Sequence, residues 1–138
     1  MKKLIIIITI GVIVLVAGGI LALRFVTGSN DSKKESPIVV PLNKEILTNL
    51  AKEGSDMFHY IKVSVSLEVV NSNAVKVIEA EMPKIRDEII SVFNGTKINE
   101  FSTPTGIEQV KARIVQRINL LLKANLVRKV LFTDMVVQ

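Results

Sequence analysis

His59-Tyr60-Ile61-Lys62-Val63-Ser64-Val65-Ser66-Leu67-Glu68-Val69-Val70 is the stretch that decides the fold. Ile61, Val63, Val65, Leu67 and Val69 alternate with Lys62, Ser64, Ser66 and Glu68. A period of two puts every apolar side chain on one side of a strand. Such a strand belongs to a sheet with one face packed and the other wet. The cover for the packed face has to come from amphipathic helices.

Two helical stretches follow the strand. Asn71-Ser72-Asn73 supplies N-cap residues for the first. Its stripe is Val75, Ile78, Met82, Ile85, Ile89 and Val92, spaced by three and four. The stripe keeps its phase through Pro83, so the spacing predicts one helix, kinked where the ring crowds the carbonyl of Glu79. Asn94-Gly95 suits a left-handed helix end, and Lys97 to Phe101 reads as a short strand. The second helix opens either at Thr103-Pro104 or at the capping box Thr105-x-x-Glu108. Ile107, Val110, Ile114, Ile118 and Leu121 form its stripe, and Lys123 with Asn125 closes it. Val127 to Val137, rich in β-branched and aromatic residues, is the last strand.

Working outward in the other direction, Ile38-Val39-Val40 forms a short strand limited by Pro37 and Pro41. Ile46 to Leu50 is another. Lys52 to Asp56 is a turn with Gly54 at positive φ. Residues 37–138 therefore predict an α+β domain, with two amphipathic helices packed on a largely antiparallel sheet.

Ahead of this domain, Leu4 to Leu23 reads LIIIITIGVIVLVAGGILAL, apolar throughout except for the hydroxyl of Thr9. A helix needs ~20 apolar residues to cross ~30 Å of hydrocarbon. Residues 4–23 are thus expected to be a single-pass transmembrane helix in contact with membrane lipid. Lys2, Lys3 and Ala17-Gly18-Gly19 would also fit a cleaved signal peptide, but its apolar core usually ends after ~7–15 residues. Residues 1–3 are read as cytoplasmic and the domain as exported, on the basic start at Lys2 and Lys3. Arg24, Lys33 and Lys34 stand on the far side, diluted by Asp31 and Glu35. Residues 24–36 are polar and turn-rich, a flexible tether. Gly18 and Ala22 have the small-xxx-small spacing that lets two spans approach.

The formal charge of +5 is mostly a property of the membrane flank. From Ser36 onward there are 13 Lys and Arg against 11 Asp and Glu, a domain charge of +2. Signs are mixed, with one Tyr and no Trp, so neither a basic stripe nor an aromatic platform for nucleic acid is present. With no cysteine, thiolate metal sites, disulfides and cysteine nucleophiles are excluded. His59, the only histidine, is expected at the start of the long strand with no chemical role. Glu79 with Glu81 and Asp87 with Glu88 are spaced wrongly to aim two carboxylates at one point, whereas Lys84 can pair with Glu88. The glycines of the domain stand singly, without a phosphate loop. Asn94-Gly95-Thr96 matches a glycosylation sequon that the helix stop already explains. No catalytic, cofactor-binding or metal-binding residues are assigned, and the chain is read as a non-enzyme that works through contacts.

Four segments in order carry a more specific signal: TNLAKEGSDMFHYIKVSVSLEV from Thr48 to Val69, MPKIRDEIISVF from Met82 to Phe93, TPTGIEQVKARIVQRINLLL from Thr103 to Leu122, and VRKVLFTDMVVQ from Val127 to Gln138. Behind an anchor and a polar tether, this order resembles the flagellar basal body-associated FliL family along essentially the whole chain. The resemblance implies a stomatin-like exported domain at the inner membrane, within the bacterial flagellum basal body. It implies basal-body components and the ion-conducting stator complex as partners, and self-association into a homo-oligomeric ring around the stator. It also implies support of torque generation, motility and swarming, with no catalytic residue to carry over. A tethered binding or scaffold module of another envelope complex is the alternative.

Overall fold

The computed structural model describes residues 36–52, 54 and 58–138. The expected span, residues 4–23, and all of the expected tether, residues 24–36, except Ser36 lie outside the described residues. Within them the element order is β1 (Ile38–Pro41), β2 (Ile46–Asn49), β3 (Tyr60–Val69), α1 (Ser72–Ala80), α2 (Met82–Asn94), a 3₁₀ turn (Ile98–Phe101), α3 (Pro104–Leu122) and β4 (Val127–Val137). The α+β reading holds, with three helices where two were expected.

β3 is the central strand. β4 pairs with it antiparallel along its length, from Ile61↔Val137 to Val69↔Val127. β1 and β2 share its other edge, also antiparallel, with Ile38↔Val69 at one end and Asn49↔Tyr60 at the other. They are two halves of one interrupted edge strand. The interruption, Leu42 to Glu45, carries Asn43 at φ 60° and is held from outside the sheet. Arg86 on α2 donates to the carbonyls of Leu42 (3.1 Å), Lys44 (2.6 Å) and Glu45 (3.2 Å). A guanidinium suits this because it offers several donors in a fixed fork.

The alternation of β3 is realised in full: Ile61, Val63, Val65, Leu67 and Val69 are all buried. Against them pack Ala74, Ile78, Ile85, Ile89, Val92, Phe93, Val110, Ile114 and Ile118 from the helices. Fully burying each large aliphatic side chain contributes ~1.5–3 kcal/mol, which makes this layer the source of the fold's stability. In β4 the period of two is broken twice. Ser64 and Val65 face Asp134 and Phe132, leaving Thr133 unopposed; Glu68 and Val69 face Lys129 and Val127, leaving Arg128 unopposed. Each bulge shifts the parity, so Val127, then Val130 and Phe132, then Met135 and Val137 are opposite the buried residues of β3.

Several local expectations are corrected. The single kinked helix is two, divided at Glu81, with Pro83 in the first turn of α2, where its missing N–H costs little. Glu81 N–H still bonds the Val77 carbonyl (3.0 Å) and Ile85 N–H the Glu81 carbonyl (3.0 Å), which is why the stripe keeps phase. Gly95 is not left-handed but sits at φ −93°, ψ 0°. The helix end is closed instead by Thr96, which is buried and donates its hydroxyl to the Val92 carbonyl (2.7 Å). Lys97 to Phe101 is a 3₁₀ turn rather than a strand. Glu100 accepts from the Lys97 N–H (3.1 Å), while Phe101 packs against Phe93, ring centroids 6.3 Å apart. Lys84 pairs with Glu81 (2.6 Å), not with Glu88, which pairs with Arg117.

Other expectations are met. Asn71 caps α1 by accepting from Ala74 N–H (2.9 Å), and Gly54 has φ 78°. Of the two openings for the second predicted helix, Thr103-Pro104 is used: Thr103 Oγ1 accepts from Gly106 N–H (3.1 Å). That helix, α3, ends on Lys123 in the left-handed region, φ 52°.

Candidate functional site

Catalytic machinery needs a nucleophile, base or metal held near others of its kind. Among the described residues no group of three or more His, Cys, Asp or Glu could hold a metal. His59 is half-buried just before β3, and its carbonyl accepts from Leu50 N–H (2.8 Å). Glu79 and Asp87 are exposed, and Glu81 and Glu88 are tied to Lys84 and Arg117. Glu100 is held by Arg113 (2.5 Å). Burial pushes its carboxyl up, but hydrogen bonds from Arg113 and from the Lys97 backbone outweigh this and leave it below the ordinary glutamate value. Glu88 and Glu100 fasten α2 and the 3₁₀ turn to α3, Glu81 pairs locally with Lys84, and these carboxylates do not converge on a substrate-sized space.

The other face of the sheet carries the feature that structure does not explain. Leu47, Lys62 and Val136 lie directly opposite one another across β2, β3 and β4. Tyr60 stands two residues along β3 on the same face. Leu47 is 70% exposed, Val136 52%, Tyr60 46% and the nearby Phe58 55%. Side chains directly opposite or diagonal on a sheet are within reach of one another, so these residues form an apolar patch around the stem of Lys62. The Lys62 ammonium is drawn to Glu45 (3.0 Å), and Lys52 lies over the Phe58 ring at 4.3 Å. Clustered exposed apolar groups rimmed by charge mark interaction surfaces more often than scattered ones do.

The patch has a defined place. β1 begins opposite Val69, whereas Leu47 and Tyr60 lie toward the other end of β3. Nine residue steps separate Val69 from Tyr60, ~30 Å of strand. The patch is therefore at the end of the sheet remote from the point where residue 36 joins it. The alternation of β3 foretold a wet face but not its apolar residues. Leu47 and Val136 sit in short or irregular strands whose facing became clear only from the register.

The flagellar basal body-associated protein FliL family model matches residues 39–138. The chain belongs to this family. A flagellar protein FliL from Aquifex aeolicus (strain VF5) is similar, 36% identical over 104 residues. The match covers 75% of this chain and 63% of that relative, so the chain spans less than two thirds of the relative's length. The matched residues take in every described strand and helix but for Ile38, the first residue of β1, and family membership associates the chain with the flagellar basal body. The family is described by that place, not by a reaction.

Proposed function

We propose that the chain is a non-enzymatic accessory protein of the flagellar motor, held at the inner membrane by residues 4–23 as a single-pass anchor. Its exported domain, residues 37–138, associates with stator units and self-associates as a ring around them, supporting torque generation, motility and swarming. The observation that carries a contact function is the apolar patch of Leu47, Tyr60 and Val136 on the wet face of the sheet. The ring would act by binding one stator state better than another, since a partner shifts a conformational equilibrium only by its differential affinity. The tether and β1 lie nearest the stator in this reading. Neighbouring copies meet through the unpaired edges of β2 and β4 beside the patch.

Photo-cross-linking in cells, from Ser32 in the tether and from Leu47, tests it. Capture of a stator subunit from Ser32 and of a second copy from Leu47 is expected. Capture of only unrelated envelope proteins, in cells with assembled motors, overturns the stator assignment and favours a scaffold of another envelope complex.

A further inference from the structure

The domain's cations divide by what holds them. Lys62, Lys84, Lys111, Arg113 and Arg117 are in ion pairs with described carboxylates. Arg86 is spent on backbone carbonyls, and Lys52 lies over Phe58. Lys44, in the turn between β1 and β2, is exposed and forms no ion pair among the described residues, and the same holds for Lys76, Lys123, Arg128 and Lys129.

The last four share one end of the domain. Lys129 and Arg128 open β4 beside Val127, which faces Val69 at the end of β3. Lys123 closes α3 just ahead of that strand, and Lys76 is in the first turns of α1, just after β3. Glu68, opposite Lys129, is the acid beside them in the sheet. The turns between them, Asn71 to Asn73 and Lys123 to Asn125, are exposed and polar. β1 starts at this same end, with Ile38 opposite Val69.

We propose that this basic end docks on the anionic lipid headgroups of the membrane that carries the chain. The inference rests on the anchor reading above. Two observations select the bilayer as occupant. The linker between Leu23 and Ser36 is only 12 residues, so it spans at most ~43 Å when fully extended. That bounds how far the tethered end can stand from the headgroups, and that end is the one where exposed, unpaired cations cluster. Attraction between cationic side chains and an anionic surface acts within about a Debye length, ~8 Å at physiological salt. Docking this way stands the sheet on its β1 end and presents the patch of Leu47, Tyr60 and Val136 roughly 24–30 Å out from the surface. A tether alone would leave the patch free to point anywhere.

The absence of cysteine allows single-site labelling of the full chain. Asn125→Cys at the basic end and Leu47→Cys at the patch would each carry a fluorophore, in chain reconstituted into phosphatidylcholine vesicles with or without phosphatidylglycerol. A quencher on the lipid headgroups reads proximity. The Asn125 probe is expected to be quenched in the anionic vesicles several-fold more than the Leu47 probe, and released at high salt or in phosphatidylcholine alone. Replacing Lys76, Lys123, Arg128 and Lys129 by Gln should weaken docking roughly fivefold per charge. The lipid and salt comparisons on chain with all four cations do not depend on that variant folding. Equal quenching in both lipids, insensitivity to salt, or stronger quenching at Leu47 overturns the docking while leaving the anchor intact. Failure of the chain to float with vesicles after a high-salt wash overturns the anchor reading, and the inference with it.

Discussion

The side-chain amide of Asn119 treats Val127 as a neighbouring strand would: its oxygen accepts from the Val127 N–H (2.9 Å) and its nitrogen donates to the Val127 carbonyl (2.9 Å). The same oxygen also accepts from Leu126 N–H (3.1 Å). One side chain on α3 thus satisfies the backbone where β4 begins, before the strand ladder can do so. Asn119→Ala takes this partner from the Val127 N–H and carbonyl, while Leu126 N–H keeps the Ala124 carbonyl (3.0 Å), and is expected to cost ~1–3 kcal/mol in urea unfolding. Asn119→Asp keeps the acceptor and loses the donor, so it should fall between. An Ala variant as stable as the natural chain would show that water replaces the amide at no cost.

Two glycines separate close approach from backbone freedom. A Cβ on Gly106 would lie 2.0 Å from the Glu100 carbonyl oxygen, whereas one on Gly95 would meet nothing nearer than 3.7 Å. Gly106→Ala must push α3 off the 3₁₀ turn and is expected to destabilise by ~1–3 kcal/mol. Gly95→Ala, at φ −93°, should be neutral or stabilising by up to ~1 kcal/mol through the unfolded chain. Thermal melts of the two variants, side by side, check the contrast. A Gly95→Ala variant that loses stability would restore the left-handed helix end that Asn94-Gly95 suggests in the sequence.

These cases show where the sequence was legible. β3 declares itself because its period is unbroken over ten residues, and both long stripes survive because their helices keep phase. β4 does not declare its facing, because the residues left over at Arg128 and Thr133 invert the alternation twice. Lys97 to Phe101 misleads because its conformation is set from a distance, by Phe93 under Phe101 and by Arg113 on Glu100. The candidate site is hidden for a related reason. Leu47 and Val136 are unremarkable alone and become neighbours only through Lys62, to which both are paired. The division at Glu81 is a boundary matter, since Pro83 marks the place to within two residues.

The pH dependence of stability should carry the mark of Glu100. Its folded pKa lies below its unfolded value, so the folded state favours the ionised form. The stabilisation is therefore fully present above the ordinary glutamate range and is lost as pH falls through the lowered folded value. Arg113→Gln removes the leading favourable hydrogen bond, so the variant should lose stability at neutral pH and show a shallower decline on acidification. Urea midpoints measured from pH 7 down to about pH 3 would reveal this. Parallel curves for the two proteins would mean that the Arg113 contact contributes nothing to the titration.

The strongest separation of fold from function should come from the wet face of the sheet. Leu47 and Val136 project away from the core, so Leu47→Glu and Val136→Glu are expected to change stability by no more than ~0.5 kcal/mol. A buried contact centre, by contrast, loses affinity steeply when an apolar anchor is replaced by a charge. Each variant, and the pair above all, should therefore fold, accumulate and fail to support swimming through soft agar. Ser66→Gln, on the same face but two rows from Lys62, is the control and should swim normally. The distinction matters because a loss of motility alone could come from loss of the protein; equal cellular levels of all four variants make it a loss of contact. Normal swimming by the double variant would remove the patch from the motor and direct attention to the basic end and the unpaired strand edges.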